Sequence, residues 1–249
     1  MATLWEAIFR GIRRPYKLLQ VTLGFARLGL SPVGLLFYMA ELQGDKSFWF
    51  YVKDRIAQAM NAVNDPRLGG WIVGSPSEII YPIIRLVKPE IVIETGVGPG
   101  GSSALILNAL NRNRRGHLYS IDLPGNDALV YPKIGRCYNL HVPPGYDVGW
   151  LVPEKLRDRW TLILGDAKKE LPKLLDGFDI VDVFFHDSLH TDEHILFELE
   201  NVFPKLRRGG YLLADDVNEY WSLAFVDFCK KRRLPCFVFG SRLGIARKK

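Results

Sequence analysis

From position 75 onward, short apolar runs and amphipathic stretches alternate along the chain. Positions 91–94, 117–121, 161–164, 181–185 and 211–214 are apolar, β-branched or aromatic, the composition of buried strands. Between them, 102–110, 167–175 and 191–206 carry apolar residues at helical spacing, the last with Ile195, Leu196, Leu199, Val202 and Phe203 on one side. Such alternation predicts a doubly wound α/β fold, a mostly parallel sheet with helices on both faces. A helix near 220–233 is followed by 236–239 and 243–246, which read as a closing hairpin around Gly240 and Ser241. At the other end, Ser75, Pro76 and Glu78 form a capping box with proline at the first helical position. That helix has Ile79, Ile80, Ile83, Ile84 and Val87 on one face, and Pro82 predicts a kink because it lacks a donor.

The region before it is helical in pattern and separate in character. Trp5, Ile8, Phe9 and Ile12 recur at helical spacing, interleaved with Arg10, Arg13, Arg14 and Lys17. A second helix is predicted over 47–63, before Asp65, Pro66, Gly69 and Gly70 break the pattern. The chain therefore divides into a helical extension, 1–70, and an α/β domain, 71–249. The apolar stretch 18–39 is interrupted by Arg27, Pro32 and several glycines, which argues against a spanning helix. Its hydrophobic residues need cover all the same. The α/β domain or a second copy in a homo-oligomer could supply it, whereas the basic, aromatic helix before it could lie on the surface of an anionic membrane.

Composition adds limits. With 249 residues, 48% of them hydrophobic and 24% charged, the chain has ordinary globular composition and can bury a core. Its net charge of +6 falls partly in the runs 230–233 and 247–249 rather than in one stripe, so no nucleic-acid partner is expected. Cys137, Cys229 and Cys236 form no C-x-x-C pair, which points away from a zinc module and toward a reducing, cytoplasmic setting.

The chemistry begins at 93–103, where a strand runs into Gly96, Gly98, Gly100 and Gly101 and then into a helix opening with Ser102 and Ser103. Ligands of open α/β sheets sit at such strand ends, and glycine lets the backbone approach them closely. Gly96, Gly98 and Gly101 also satisfy G-x-G-x-x-G, so a nicotinamide-type oxidoreductase is a rival reading. Glu94 argues against it, because a carboxylate directly before the glycines suits a cationic amino group and is awkward beside a pyrophosphate. Asp122 ends the next strand and can accept from both hydroxyls of a ribose. Asp166, followed by Ala167, can face an adenine amino group or simply cap the helix after it.

Two further stretches carry a family resemblance: Phe184, Phe185, His186, Asp187, Ser188, Leu189, His190 and Thr191, and then Gly209, Gly210 and Tyr211 through Leu212, Leu213, Ala214, Asp215 and Asp216. Together with the glycine loop, they resemble the class I S-adenosylmethionine-dependent methyltransferases. The similarity is to the small-molecule O-methyltransferase branch that includes macrocin-type sugar enzymes and, more distantly, catechol O-methyltransferase. It covers 75 to the C-terminus. The resemblance implies a seven-stranded sheet ending in an antiparallel hairpin, and O-methylation of a small hydroxylated metabolite. It implies S-adenosylmethionine held by Glu94, Gly96, Gly98, Gly100, Ser102, Asp122, Asp166, Ala167 and Asp187. Asp187, Asp215 and Asp216 then fall at ligand positions for magnesium. The chain departs from the catechol enzymes in having Asp216 where they carry an amide and His190 where they carry a lysine. His190 sits just before Thr191, the expected N-cap of the next helix, and with Asp187 is the candidate proton acceptor. His186 is expected to point into the sheet and His194 to lie on the solvent side of its helix. The long connection 123–159 reads as part of the acceptor pocket or as a gate. A domain that binds the cofactor without catalysis is the remaining alternative.

Overall fold

The computed structural model describes residues 15–63, 76–123, 129–130, 137–138, 142–143 and 145–249. Three helices lead: α1 (Pro15–Arg27), α2 (Pro32–Gly44) and α3 (Lys46–Val63). The helix expected around Trp5 to Ile12, the break at 65–70 and the capping Ser75 lie outside the described residues.

The α/β part then alternates as β1 (Ile91–Thr95), α5 (Gly101–Asn113), β2 (His117–Asp122), β5 (Trp160–Leu164), α6 (Ala167–Asp176), β6 (Val181–His186), α7 (Asp192–Lys205) and β7 (Leu206–Ala214). Helix α4 (Ile80–Val87) precedes it, and α8 (Ala224–Lys231), β8 (Cys236–Phe239) and β9 (Leu243–Arg247) close it. Seven strands form one sheet in the order β5-β2-β1-β6-β7-β9-β8. β1, β2, β5, β6 and β7 run parallel, while β9 pairs antiparallel with both β7 and β8. The short strands β3 (Leu129–Val130) and β4 (Cys137–Tyr138) pair with each other inside the long connection.

Side chains alternate across the sheet, so each strand feeds two cores. Val92, Val183, Phe185, Leu213 and Ile245 face one cluster; Ile93, Phe184, Leu212, Ala214 and Ala246 face the other. The first cluster also holds Phe25, Leu28 and Leu30 at the end of α1, Leu35, Met39 and Leu42 of α2, and Phe48, Val52 and Ile56 of α3. The leading helices thus share the core of the α/β domain. Polar ties reinforce this packing: Glu41 accepts from Tyr81 Oη at 2.6 Å and from Arg85 Nε at 2.7 Å, and Asp45 accepts from Arg112 Nη2 at 2.8 Å. Burial alone would push the Glu41 carboxyl up; the bonds from Arg85 and Tyr81 outweigh it and hold it below its ordinary value.

Pro82 produces no kink inside an α-helix. The chain forms a 3-10 turn over Pro76–Ile79, and the α-helix starts only at Ile80. Pro82 therefore lies in the first turn, where a backbone N–H has no partner within the helix.

Candidate functional site

Every parallel strand ends at the same edge of the sheet, and the acids expected to do chemistry stand there. Backbone bonds lace those ends together: Gly96 N donates to Ile121 O (2.9 Å), Asp187 N to Thr95 O (2.8 Å), Asp215 N to His186 O (2.9 Å) and Gly165 N to Asp122 O (2.7 Å). In the sheet order this gives a row from Asp166 through Asp122 and the glycine loop to Asp187 and the Asp215, Asp216 pair.

The loop between β1 and α5 needs its glycines. Gly96 has φ +85°, and a Cβ there would meet the Asp187 carbonyl oxygen at 2.0 Å. Gly100, at φ +91°, would press on Gly149 Cα at 2.8 Å. At Gly98 a Cβ would meet nothing within 4 Å, so the loop leaves open space there for a ligand. Asp122 Oδ2 braces this turn from below, accepting from Val97 N at 2.7 Å and Gly98 N at 2.5 Å. Burial raises its pKa in spite of those amides. An open cradle of backbone with a carboxylate at its base fits a cationic adenosine cofactor.

The Glu94 carboxylate is wholly buried. It accepts from Ser102 Oγ and Ser103 Oγ, both at 2.6 Å, and from Ser120 Oγ at 2.7 Å. Ser120 lies opposite Glu94 in the β1–β2 register and itself accepts from Trp160 Nε1 at 2.9 Å. Burial, only partly offset by the three hydroxyls, pushes Glu94 up to about 6. Ser102 is thereby turned toward Glu94. Asp166 caps α6 by accepting from Lys168 N at 2.9 Å, a role compatible with its expected place beside an adenine, with Ala167 as the first helical residue.

At the other end of the row the acids crowd. Asp187 follows β6, and Asp215 and Asp216 follow β7, Asp216 in the left-handed region at φ +53°. Burial and then the charges of Asp215 and Asp216 raise the Asp187 pKa above its ordinary value, although 31% of its side-chain surface remains exposed. Asp216 is pushed up to about 6, by burial first and Asp215 second. His190 Nε2 stands 3.8 Å from Asp187 Oδ1 and 3.6 Å from Asp216 Oδ2. Burial, His186 and Arg242 lower its pKa well below the ordinary histidine value, so its imidazole is neutral. Trp221 lies against it with ring centroids 5.6 Å apart.

The arrangement of these three acids gives no support to the magnesium expected there. Arg242, on the turn between β8 and β9, occupies the position of a counter-cation. Its Nε reaches Asp215 Oδ1 at 2.9 Å and its Nη2 reaches Oδ2 at 2.6 Å, while Nε is also 3.1 Å from Asp216 Oδ1. Both oxygens of the buried Asp215 are thus taken by the guanidinium. Among the described residues, no group of three or more His, Cys, Asp or Glu side chains is disposed to hold a metal.

Behind the site lies a group that the sequence reading missed. Glu198 of α7 is wholly buried and accepts from four side chains: His186 Nδ1 at 2.6 Å, Thr95 Oγ1 at 2.7 Å, Ser188 Oγ at 2.8 Å and His194 Nε2 at 2.9 Å. Burial would raise this carboxyl, yet the two histidines bring it well below its ordinary value. His186 is buried, as its strand position implied. His194 is not on the solvent side; it is buried beside Glu198, one helical turn away. The available signal was an acid at i+4 from a histidine, set among Ile195, Leu199 and Val202 on an otherwise apolar face. His186 stacks edge-to-face on His190 with centroids 5.3 Å apart, so this network sets the wall against which His190 rests.

Comparison with known proteins agrees with this geometry. A family described as "Methyltransferase domain" matches residues 93–217. Among curated proteins no sequence matches the chain. Several solved structures share the fold. CalS11, a calicheamicin methyltransferase, superposes with TM-score 0.54 at 14% identity over 78% of this chain and 91% of that one. TomG from Streptomyces achromogenes, an O-methyltransferase involved in tomaymycin synthesis and solved with S-adenosylmethionine, gives 0.53 at 15% over 80% and 89%. PaMTH1 from Podospora anserina, solved with S-adenosylhomocysteine, gives 0.52 at 15% over 84% and 96%.

Proposed function

Because the chain belongs to the class I S-adenosylmethionine-dependent methyltransferase family, we propose that it transfers the methyl group to a hydroxyl oxygen of a small metabolite. The observation that carries this reading is the meeting of Asp187, His190 and Asp216 within 3.8 Å, beside the open glycine loop. S-adenosylmethionine, when bound, supplies a methyl on a sulfonium, an electrophile that needs no further activation. The chain's own task is to hold the acceptor in line, exclude water and take the hydroxyl proton as the O–C bond forms and the C–S bond breaks. Asp122, Gly96, Gly98, Gly100 and Ala167 form the cofactor side of the crevice, with Glu94 acting through Ser102. Asp166 stands at the adenine end.

Proton removal falls to Asp187. A carboxyl with a raised pKa is a stronger base than an ordinary carboxylate, and this one keeps part of its side-chain surface exposed. His190, neutral and of lowered pKa, stands beside Asp187 and can accept a hydrogen bond from the acceptor hydroxyl, which helps to fix the direction of transfer. Arg242 supplies the positive charge that keeps the three acids together.

The test combines calorimetry with a turnover assay that follows S-adenosylhomocysteine over a panel of hydroxylated acceptors. Heat with S-adenosylmethionine and product from at least one hydroxylated acceptor are expected. A chelator should leave turnover unchanged, since the cation is part of the chain. Silence with both forms of the cofactor, together with tight binding of NAD, would overturn the reading. Loss of turnover in chelator, restored by magnesium, would return the acids to the role of metal ligands.

A further inference from the structure

The leading helices carry more exposed apolar surface than their packing requires. Helix α2 carries apolar residues on two sides: Leu35, Met39 and Leu42 enter the core, while Val33, Leu36 and Phe37 are exposed, Val33 at 77% and Phe37 at 65%. Ala40 continues that stripe by one turn and is exposed too. On α1, Leu19, Leu23 and Ala26 form a second exposed stripe, and Phe50 at the start of α3 is 75% exposed. Single exposed hydrophobic residues need no explanation, but successive turns of two adjoining helices do.

Charge around these stripes is mainly positive. Within 15–53 the acids are Glu41 and Asp45, and each is held by an arginine of the domain, Arg85 or Arg112. The bases Arg27, Lys46 and Lys53 are exposed. The sequence just before α1 adds Arg10, Arg13 and Arg14 against Glu6. Asp54 is the nearest exposed acid. An apolar stripe flanked by bases matches an anionic bilayer surface, whose lipid tails take the stripe and whose headgroups take the charge. A second copy of the chain matches less well, because symmetric pairing would bring like charges together.

The helices are built to lie on such a surface and not to cross it. No single described helix is long and apolar enough to span; only the bent pair of Leu19–Arg27 with Pro32–Gly44 passes on composition, at an angle of 103°. Their elbow is fixed in the core by buried Leu28 and Leu30, with Tyr211 Oη donating to Leu28 O at 2.8 Å. Straightening the pair would tear that anchor out. We propose that the exposed faces of α1 and α2, with Phe50, dock the enzyme peripherally on an anionic membrane surface.

Vesicle co-sedimentation of the full chain tests this, using phosphatidylcholine vesicles with and without about 30% phosphatidylglycerol. The protein should pellet with the anionic vesicles at about 0.05 M salt and bind several-fold less at about 0.5 M. The double variant Leu36→Asp, Phe37→Asp should bind at least about tenfold more weakly. Its circular dichroism melt should match the parent, because both side chains already face water. Val33→Asp alone should give a smaller loss in the same direction, so the test survives if the double variant fails to fold. A parent protein that stays in the supernatant with anionic vesicles overturns the proposal. If light scattering also shows a dimer that the double variant splits, the face belongs to a second copy. Equal binding by parent and variants, or equal binding to neutral vesicles, overturns it as well.

Discussion

A carboxyl buried among hydroxyls ionises at a cost, and Glu94 makes that cost measurable. Its folded pKa of about 6 lies above the ordinary value of 4.5, so the folded state binds its proton more tightly than the unfolded chain does. The stabilisation is complete below the unfolded value and is lost as pH rises through about 6. A shift of this size corresponds to about 2 kcal/mol. Glu94→Gln removes the titration while keeping an acceptor oxygen for the serines. Its unfolding free energy, taken relative to the parent, should therefore rise by about 2 kcal/mol between pH 4 and pH 7 in denaturant titrations; a flat difference would mean Glu94 is solvated. At the other end of the row, opposite shifts separate two roles. Asp187→Asn should lower kcat by about 10²–10⁴-fold, and His190→Ala by less than about tenfold. The reverse order in a steady-state assay would make His190 the base. These candidates were legible because Asp187, His190, Asp215 and Asp216 sit at strand ends in their own local sequence. Ser120, Glu198 and Arg242 were not. Each acquires its meaning from a partner 26 or more residues away or from a buried helix face that no local pattern reveals, as with Ser120 and Glu94 or Arg242 and Asp215.

At the scale of elements, alternation of apolar runs was enough to recover the parallel strands and the helices between them. Thr191 is the N-cap of α7, accepting from His194 N at 3.3 Å. Pro82 misled because its effect depends on where the α-helix starts, and that start is displaced by the 3-10 turn before it. The turn from β1 into α5 shows why its glycine pattern is physical. Gly96→Ala adds a methyl into the Asp187 carbonyl at a backbone angle that disfavours side chains. Because the obstacle is backbone, the two strand ends must separate. Gly96→Ala should cost about 2–4 kcal/mol in thermal or chemical unfolding. Gly98→Ala strains the same loop but meets no atom, so its stability loss should be near 1 kcal/mol, with calorimetry showing a larger loss in cofactor affinity than in fold. Removing the acceptor behind the site should be worse than either: Glu198→Ala leaves four donors, three of them buried, without their partner, and about 3–5 kcal/mol of destabilisation is expected.

The whole molecule divides its labour between the two faces of one sheet. The face under α1 to α5 carries the leading helices, so what looked in sequence like a separate extension is part of the same core. The strand ends meet at one edge, and the later, described part of the connection after β2 reaches the glycine loop there. Of that connection, 124–128, 131–136, 139–141 and 144 lie outside the described residues, so its expected role as a gate is untested there. Its later part is tied to the glycine loop: Gly149 N donates to Gly98 O at 2.8 Å and Leu151 N to Pro99 O at 2.9 Å. Trp150, Leu151 and Val152 are buried behind these bonds. These two bonds tie the segment to the loop, so a ligand that steadies the loop is expected to steady the segment as well. For amides that exchange through an opening which releases the ligand, binding slows exchange by the factor it adds to the closed state. At a ligand concentration 100 times Kd that is about 2.7 kcal/mol, or roughly 100-fold. With saturating S-adenosylhomocysteine, the amides of Gly149 and Leu151 should slow by about this factor in hydrogen exchange. Amides of β9 on the far side of the sheet should change only as much as global stability does. Unchanged exchange at Gly149 and Leu151 under saturating ligand would mean that they open independently of the cofactor loop, and that the connection is a structural insertion.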